Sequence, residues 1–217
     1  MDLKLMIFDM DGLVFDSEKV YFQSNSRAAK QLGMDFSLAY YRQYIGAGNG
    51  LMLRRMSRDY GSRSLIEKFI DLSHQYVKEE VVAHGLPLKK GFAELSQFLR
   101  QHQIKQVLAS SNDREAIDFF LDHSNMHGVF DQITSGDDVV NAKPAPDIFE
   151  KAWQQAGAPA KKAALVLEDS VNGILAANQA EIPGIMIPDL IEPTPQIAAK
   201  ATAVLPNLAA VRDFIQK

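Results

Sequence analysis

The stretch that decides the fold is LKLMIFDMDG, residues 3–12. Its apolar run Leu3–Phe8 ends abruptly in Asp9, Met10, Asp11 and Gly12. An apolar run that stops at a turn signal predicts a buried strand followed by a tight turn. Two carboxylates therefore come directly after the first predicted strand of the chain.

Downstream of Pro87, strand-like apolar runs alternate with amphipathic helical segments. The predicted strands are Gln106–Ala109, Gln132–Thr134, Ala163–Leu167 and Gly184–Ile187, and the predicted helices are Phe92–His102, Arg114–His123, Ile148–Ala156 and Asn172–Ala180. Such alternation implies right-handed crossovers and a parallel sheet with helices on both faces. The sequence therefore predicts an α/β fold, a doubly wound, Rossmann-like parallel sheet.

The segment between the first strand and this alternating region has a helical pattern instead. Tyr21–Leu32 and Leu65–Val82 lack proline and carry apolar residues at spacings near three and four. We therefore expect a core domain of residues 1–14 and 88–217, interrupted by an inserted α-helical domain of residues 15–87.

Composition excludes several classes of protein. The 217 residues include no cysteine, which removes disulfides, thiolate nucleophiles and thiolate metal sites. The longest unbroken apolar run, Ala163–Leu167, is far shorter than the roughly 18 residues of a membrane span, and the N-terminal residues show no signal-peptide pattern. The net charge of −4 argues against a nucleic-acid partner. We expect a cytoplasmic protein, monomeric by default.

Polar residues stand out where four predicted segments of the α/β region end. They are Asp9 and Asp11, then Ser110, Ser111 and Asn112, then Lys143, and finally Glu168 and Asp169. Ligands of doubly wound sheets bind at the carboxyl ends of the strands. We therefore expect these side chains to share one crevice.

Several carboxylates in one crevice repel one another unless a positive charge intervenes. A hard divalent ion such as Mg²⁺ is the simplest remedy, and Lys143 can supply a fixed positive charge for a phosphoryl group. We expect the Ser110 hydroxyl, and the backbone N–H groups after it that open a helix, to form an anion site. This set would let an aspartate attack a phosphoryl group.

Each motif also has an ordinary structural interpretation. Asp9–Gly12 can be only a turn, Ser110–Asn112 and Glu168–Ser170 can be helix caps, and Lys143 can be a solvated loop residue. It is their joint occurrence at successive segment ends that favours a phosphoryl-transfer site.

These residues resemble the motifs of the haloacid dehalogenase-like (HAD) superfamily of phosphohydrolases. Phe8–Glu18 (FDMDGLVFDSE) resembles the first motif in the form typical of the beta-phosphoglucomutase-like branch. Ala109-Ser110 is similar to the second motif, Lys143-Pro144 to the third and Leu167–Gly173 (LEDSVNG) to the fourth. The helical insert resembles the family's cap domain, which closes over the substrate.

The resemblance implies a role for each matching residue. Asp9 would be the nucleophile that forms an aspartyl-phosphate, and Asp11 would protonate the leaving alkoxide and then activate water. Ser110 and Lys143 would hold the phosphoryl oxygens. Mg²⁺ would be bound by the Asp9 carboxylate, the Asp11 carbonyl and Asp169, with Glu168 nearby or bound through water.

Two departures from the mutases of this branch bear on the substrate. Tyr21 stands where they have a cap histidine, and residues 45–50 (IGAGNG) lack the arginine of their Lys-Gly-x-Ser-Arg loop. Without a firm grip on a second phosphate, water is the favoured acceptor, so a phosphatase acting on a small sugar phosphate is predicted. The predicted substrate-binding residues are Ser111, Asn112, Tyr21, Asn49 and Arg54.

Two alternatives remain. A sugar phosphomutase would use the same chemistry and isomerise a hexose phosphate. A phospho-accepting signalling domain of receiver type also uses Asp, Lys and Mg²⁺, but its phosphorylated Asp follows a later strand and it has no helical insert.

Overall fold

A computed structural model describes residues 2–45 and 48–216, without the side chains of residues 48 and 49. The chain divides into two compact units. The core unit comprises Met1–Asp16 and Pro87–Lys217, and the helical unit comprises Ser17–Leu86.

The helical unit contains four α-helices: α1 (Ser17–Gln31), α2 (Leu38–Tyr41), α3 (Gly48–Asp59) and α4 (Arg63–His84). Both α1 and α3 pack on α4 around an apolar cluster that includes Ala28, Met56 and Phe69. The Ser62 side chain caps the start of α4, and Gly85 ends it with a left-handed φ of 69°. The two long helices predicted from periodicity are therefore present as α1 and α4.

The core unit alternates strands and helices along the chain. Its strands are β1 (Leu5–Phe8), β2 (Lys105–Ala109), β3 (Gln132–Thr134), β4 (Ala164–Glu168), β5 (Gly184–Met186) and β6 (Ala203–Val204). Its helices are α5 (Phe92–Gln101), α6 (Arg114–His123), α7 (Asp147–Gln155), α8 (Val171–Gln179), α9 (Pro195–Ala198) and α10 (Leu208–Ile215).

The six strands form one parallel sheet in the order β3-β2-β1-β4-β5-β6. In register, Ile7 of β1 lies beside Val107 of β2 on one side and Val166 of β4 on the other. Strand order reverses direction between β1 and β4, so this is the switch point at which doubly wound sheets bind ligands. The predicted α/β doubly wound fold is confirmed.

Both faces of the sheet are covered, as an all-parallel sheet requires. Leu5 and Ile7 of β1 pack on one face against residues of α7 and α8. The ring of Phe8, whose side chain alternates to the other face, lies 5.6 Å from that of Phe92 at the start of α5. This double coverage explains why β1 is an uninterrupted apolar run. No helix within residues 2–45 and 48–216 is long and apolar enough to cross a membrane.

Candidate active site

The candidate site lies at the carboxyl ends of the two central strands. Asp9 follows β1, and its backbone N–H donates a 3.0 Å hydrogen bond to the Leu167 carbonyl of β4. Glu168 is the last residue of β4, and Asp169 follows it. The sheet register thus sets three carboxylates side by side at the switch point.

Lys143 reaches these carboxylates from the loop before α7. Its Nζ lies 2.5 Å from Asp9 Oδ1 and 2.8 Å from Glu168 Oε1. The side chains of Lys143, Asp9 and Glu168 are 7%, 10% and 1% exposed. At such depth an ion pair attracts strongly, but each of its charges also loses most of its hydration.

The attraction within the ion pair and the loss of hydration balance differently for Asp9 and for Lys143. Burial raises the pKa of Asp9 to about 8, and the pull of Lys143 in the opposite direction does not cancel it. Burial acts to lower the pKa of Lys143, but the carboxylates of Asp9 and Glu168 hold that pKa above its ordinary value of 10.5. Lys143 is therefore a fixed cation, and the carboxylates around it remain short of positive charge.

A divalent cation would supply the missing charge. One carboxylate oxygen from each of Asp9, Glu168 and Asp169 lies within 4.8 Å of the others, and all three residues are buried. Gly12 makes room for this set, because its φ is +73° and a Cβ there would overlap Asp169 Oδ2. Hard oxygen ligands in a buried acidic cluster fit a hard cation of the Mg²⁺ type.

Asp11 lies close to the loop that follows β2. Asn112 Nδ2 donates a 2.8 Å hydrogen bond to Asp11 Oδ2. Ser110 is buried; its N–H donates to the Thr134 carbonyl, and its Oγ accepts a 3.2 Å hydrogen bond from the Asn112 N–H. Ser111 is exposed. The structure therefore gives Asp11 a hydrogen-bond partner from the loop that follows the second motif.

The helix after this loop begins where it was predicted, at Arg114. An anion site formed by the amides after Ser110 stays a prediction. Asp113 caps α6 by accepting from the Ala116 N–H, and Asp137 accepts from the Arg114 N–H. Two N–H groups at the N-terminus of α6 therefore already donate to carboxylates.

Sequence reasoning missed the two glycines that shape the acidic cluster. A Cβ on Gly173 would overlap the carboxyl group of Glu168, just as one on Gly12 would overlap Asp169. Glu168 Oε2 also accepts a 2.7 Å hydrogen bond from the Ser170 N–H, and Ser170 caps α8. Both glycines lie inside the quoted motifs, but crowding of a Cβ cannot be read from a motif.

Three predicted substrate-binding residues belong to the helical unit. Tyr21 is half-buried on α1, and Arg54 is exposed on α3. The side chain of Asn49 lies outside the described residues, as do Gly46 and Ala47 of the loop that lacks arginine. The roles of Tyr21, Asn49 and Arg54 in substrate binding stay predictions.

Fold and site together define an α/β enzyme with a buried acidic cluster and one lysine at the sheet switch point. Residues 6–187 match the family model described as haloacid dehalogenase-like hydrolase. The chain belongs to this family and is a hydrolase of the HAD type, as its motifs predict.

Similar proteins extend over most of the chain. A Drosophila melanogaster protein described as a probable pseudouridine-5'-phosphatase is 30% identical over 96% of this chain and 90% of its own length. The "Phosphorylated carbohydrates phosphatase" of Thermotoga maritima is 30% identical over 83% of this chain and 82% of its own. A Thermotoga maritima structure provisionally described as a beta-phosphoglucomutase has a TM-score of 0.80 and 25% identity, covering 99% of both chains.

Proposed function

We propose that the chain is a Mg²⁺-dependent phosphatase that hydrolyses a small phosphorylated metabolite, a sugar phosphate being the substrate class, through an aspartyl-phosphate on Asp9. The observation that carries this proposal is the buried contact of Lys143 with Asp9 and Glu168 at the sheet switch point. The two relatives described as a phosphatase of phosphorylated carbohydrates and as a pseudouridine-5'-phosphatase support the substrate class.

The main obstacle to this chemistry is the repulsion between a carboxylate nucleophile and a phosphate dianion. Lys143 places a permanent positive charge within hydrogen-bond distance of Asp9, where it can also hold a phosphoryl oxygen. Asp9, Asp169, Glu168 and the Asp11 carbonyl would hold the ion, which when bound neutralises charge on the transferring phosphoryl group. Ser110 would hold a second phosphoryl oxygen.

In the first step a carboxylate oxygen of Asp9 attacks phosphorus, and the bond between phosphorus and the ester oxygen breaks. Asp11, protonated at this stage, donates its proton to the departing oxygen, so that the product leaves as a neutral alcohol. Asn112 holds Oδ2 of Asp11 in place during this transfer.

In the second step water attacks the aspartyl-phosphate at phosphorus. Asp11, now a carboxylate, accepts the proton of that water, and the bond between phosphorus and the Asp9 oxygen breaks. Inorganic phosphate leaves, Asp9 is again a carboxylate, and Asp11 is again protonated. Atoms and protons balance over the two steps, and no further reactant is required.

The test is phosphate release from a panel of phosphorylated sugars, nucleotides and other metabolites, with Mg²⁺ and with EDTA. We expect Mg²⁺-dependent release that Asp9→Asn abolishes, while Asp213→Asn, which removes an exposed carboxylate of the same unit, leaves the rate unchanged. Release by Asp9→Asn at the parent rate would exclude the covalent route. A stable aspartyl-phosphate without turnover would point instead to a signalling role.

A sugar phosphomutase is the second candidate, favoured by the 25% identity to the structure described as a beta-phosphoglucomutase. It would convert a hexose 1-phosphate to the 6-phosphate and would be accelerated by the sugar bisphosphate. The missing basic residue in the stretch 45–50 argues for water as acceptor. Free phosphate as the sole product would exclude the mutase.

A further inference from the structure

A second ion pair, partly buried, lies beside the acidic cluster. Asp189 follows β5, and its Oδ1 accepts a 2.6 Å hydrogen bond from Lys89 Nζ. The Asp189 side chain is only 9% exposed, and its other oxygen, Oδ2, is buried with no hydrogen-bond partner among the residues that the structure describes. A buried carboxylate oxygen without a donor is costly, on the order of 1–3 kcal/mol. Its position therefore needs an explanation.

The free oxygen is directed at the Gly12 turn, where Asp169 also lies. A Cβ built on Gly12 would be 2.2 Å from Asp169 Oδ2 and 3.4 Å from Asp189 Oδ2, which limits the separation of the two oxygens to about 5.6 Å. One water can bridge such a gap with two hydrogen bonds of about 2.8 Å each. Asp189 Oδ2 has no hydrogen-bond partner among the described residues, so a donor such as water would satisfy it.

Lys89 fixes this arrangement from the opposite side. Its backbone N–H donates a 2.9 Å hydrogen bond to the Val14 carbonyl, two residues after Gly12. Its Nζ also lies 3.7 Å from Asp16 Oδ1. Because Lys89 occupies only Oδ1 of Asp189, it balances the charge of that carboxylate and leaves Oδ2 directed at the turn.

We propose that Asp189 is a positioning residue of the metal site, and that its Oδ2 accepts a hydrogen bond from a hydration water of the Mg²⁺ held by Asp9 and Asp169. This inference rests on the proposed function, which supplies the ion. Mg²⁺ keeps several of its waters when proteins bind it, and those waters are strong donors. Removing a residue that hydrogen-bonds to a ligand of a metal typically lowers the affinity for that metal about 10–100-fold.

The competing explanation is a purely structural tether between Lys89 and Asp189. The two explanations predict opposite effects for the two partners. If Asp189 receives a metal-bound water, Asp189→Asn weakens Mg²⁺ binding, whereas Lys89→Gln removes a positive charge near the cation and does not weaken it. If only the tether matters, both substitutions disturb the Gly12 turn and weaken Mg²⁺ binding alike.

The experiment is calorimetric titration of the metal-free full chain with Mg²⁺ alone, compared across variants. We expect Asp189→Asn to raise Kd at least about tenfold, Lys89→Gln to leave it equal or lower, and the control Asp213→Asn to stay within twofold of the parent. Thermal melting in EDTA checks that each variant is folded. Should Asp189→Asn not fold, Asp189→Glu replaces it, since it keeps the charge but displaces the oxygen, and the same rise in Kd is expected.

Equal Kd values for the parent and the Asp189 variant would overturn the proposal, as would equal weakening by the Asp189 and Lys89 variants. Absence of Mg²⁺ binding by the parent chain would overturn the proposed metal site and, with it, this role of Asp189. Normal binding by all variants would leave the phosphatase proposal intact and remove only the inference about Asp189.

Discussion

The core unit and the helical unit bury polar groups in different ways. The core unit buries opposite charges in contact, with Lys143 between Asp9 and Glu168. The helical unit buries the Glu18 carboxylate against a tyrosine, since Tyr41 donates a 2.5 Å hydrogen bond to Glu18 Oε2. Within the part of the chain that the structure describes, three potential metal ligands meet only in the core unit.

The geometry of the two units accounts for this difference. Parallel strands end at one edge of the sheet, so residues distant in sequence meet there. In the helical unit, tyrosines instead pair polar groups locally. Tyr40 of α2 donates to Asp59 of α3, and Tyr44, four residues further along the chain, donates to Tyr40. Burial is the largest of the causes that raise the pKa of Tyr40 above its usual value of 10, so this hydroxyl remains a proton donor at neutral pH. We therefore expect metal binding and phosphoryl transfer in the core unit.

The largest effect should come from removing the nucleophile of the core unit. Asp9→Asn should lower phosphate release at least about a thousandfold, because an amide oxygen cannot replace the attacking carboxylate. Stability should not fall in EDTA, since burial disfavours the ionised form of Asp9. A phosphate-release assay and a thermal melt measure the two effects. A large loss of stability would mean that Asp9 serves mainly the fold.

The next effect concerns Lys143, the cation in contact with Asp9 and Glu168. Lys143→Met leaves buried carboxylates without their counter-charge and should lower the free energy of unfolding by about 3–5 kcal/mol in EDTA. Added Mg²⁺ should restore part of this loss by supplying positive charge. Urea denaturation with and without Mg²⁺ measures it. The control Lys4→Met breaks an exposed pair with Asp2 and should change the free energy of unfolding little. If Lys143→Met lowered the free energy of unfolding no more than this control does, the buried pair would not be stabilising.

A smaller effect separates crowding from backbone strain. Gly12 and Gly128 have left-handed φ values of +73° and +66°, but a Cβ on Gly128 would have nothing within 4 Å. Alanine at either position should cost about 1–2 kcal/mol of strain. Only Gly12→Ala should also raise the Mg²⁺ Kd, at least about tenfold, because it displaces Asp169. Calorimetry and urea denaturation test this, and an equal Kd for both variants would contradict the crowding argument.

The smallest effect is expected in the helical unit. Tyr41→Phe removes a buried hydrogen bond to Glu18 and should lower the free energy of unfolding by about 1–2 kcal/mol without changing the Mg²⁺ Kd. Tyr44→Phe, whose hydroxyl donates to the neutral hydroxyl of Tyr40, should cost less. A change in Kd for either variant would show that the separation of roles between the two units is incomplete.

Much of the fold could be predicted from local pattern. Arg114–His123 and Gln132–Thr134 are observed with the predicted bounds, and β1 starts two residues later than the apolar run suggested. The elements after Ile187 were not predicted. β6 has two residues, neither of them buried, so it has too few residues for a periodic signal.

The candidate site, like the fold, could be predicted only in part. Its residue types could be read from the strand ends, because a parallel sheet gathers those ends at one edge. Asp189 follows a predicted strand in the same way and was overlooked, although the same signal would have found it.

The sequence by itself determined which residue types stand at the ends of the strands, since periodicity and turn signals are local properties. Tertiary structure alone decided their distances and their protonation. Lys143 meets Asp9 across 134 residues of chain, and only tertiary packing makes that contact. The overlap of a Gly12 Cβ with Asp169 and the free oxygen of Asp189 are likewise consequences of packing. Charge, burial and crowding act through space, and a linear pattern carries no information on how closely two distant residues approach.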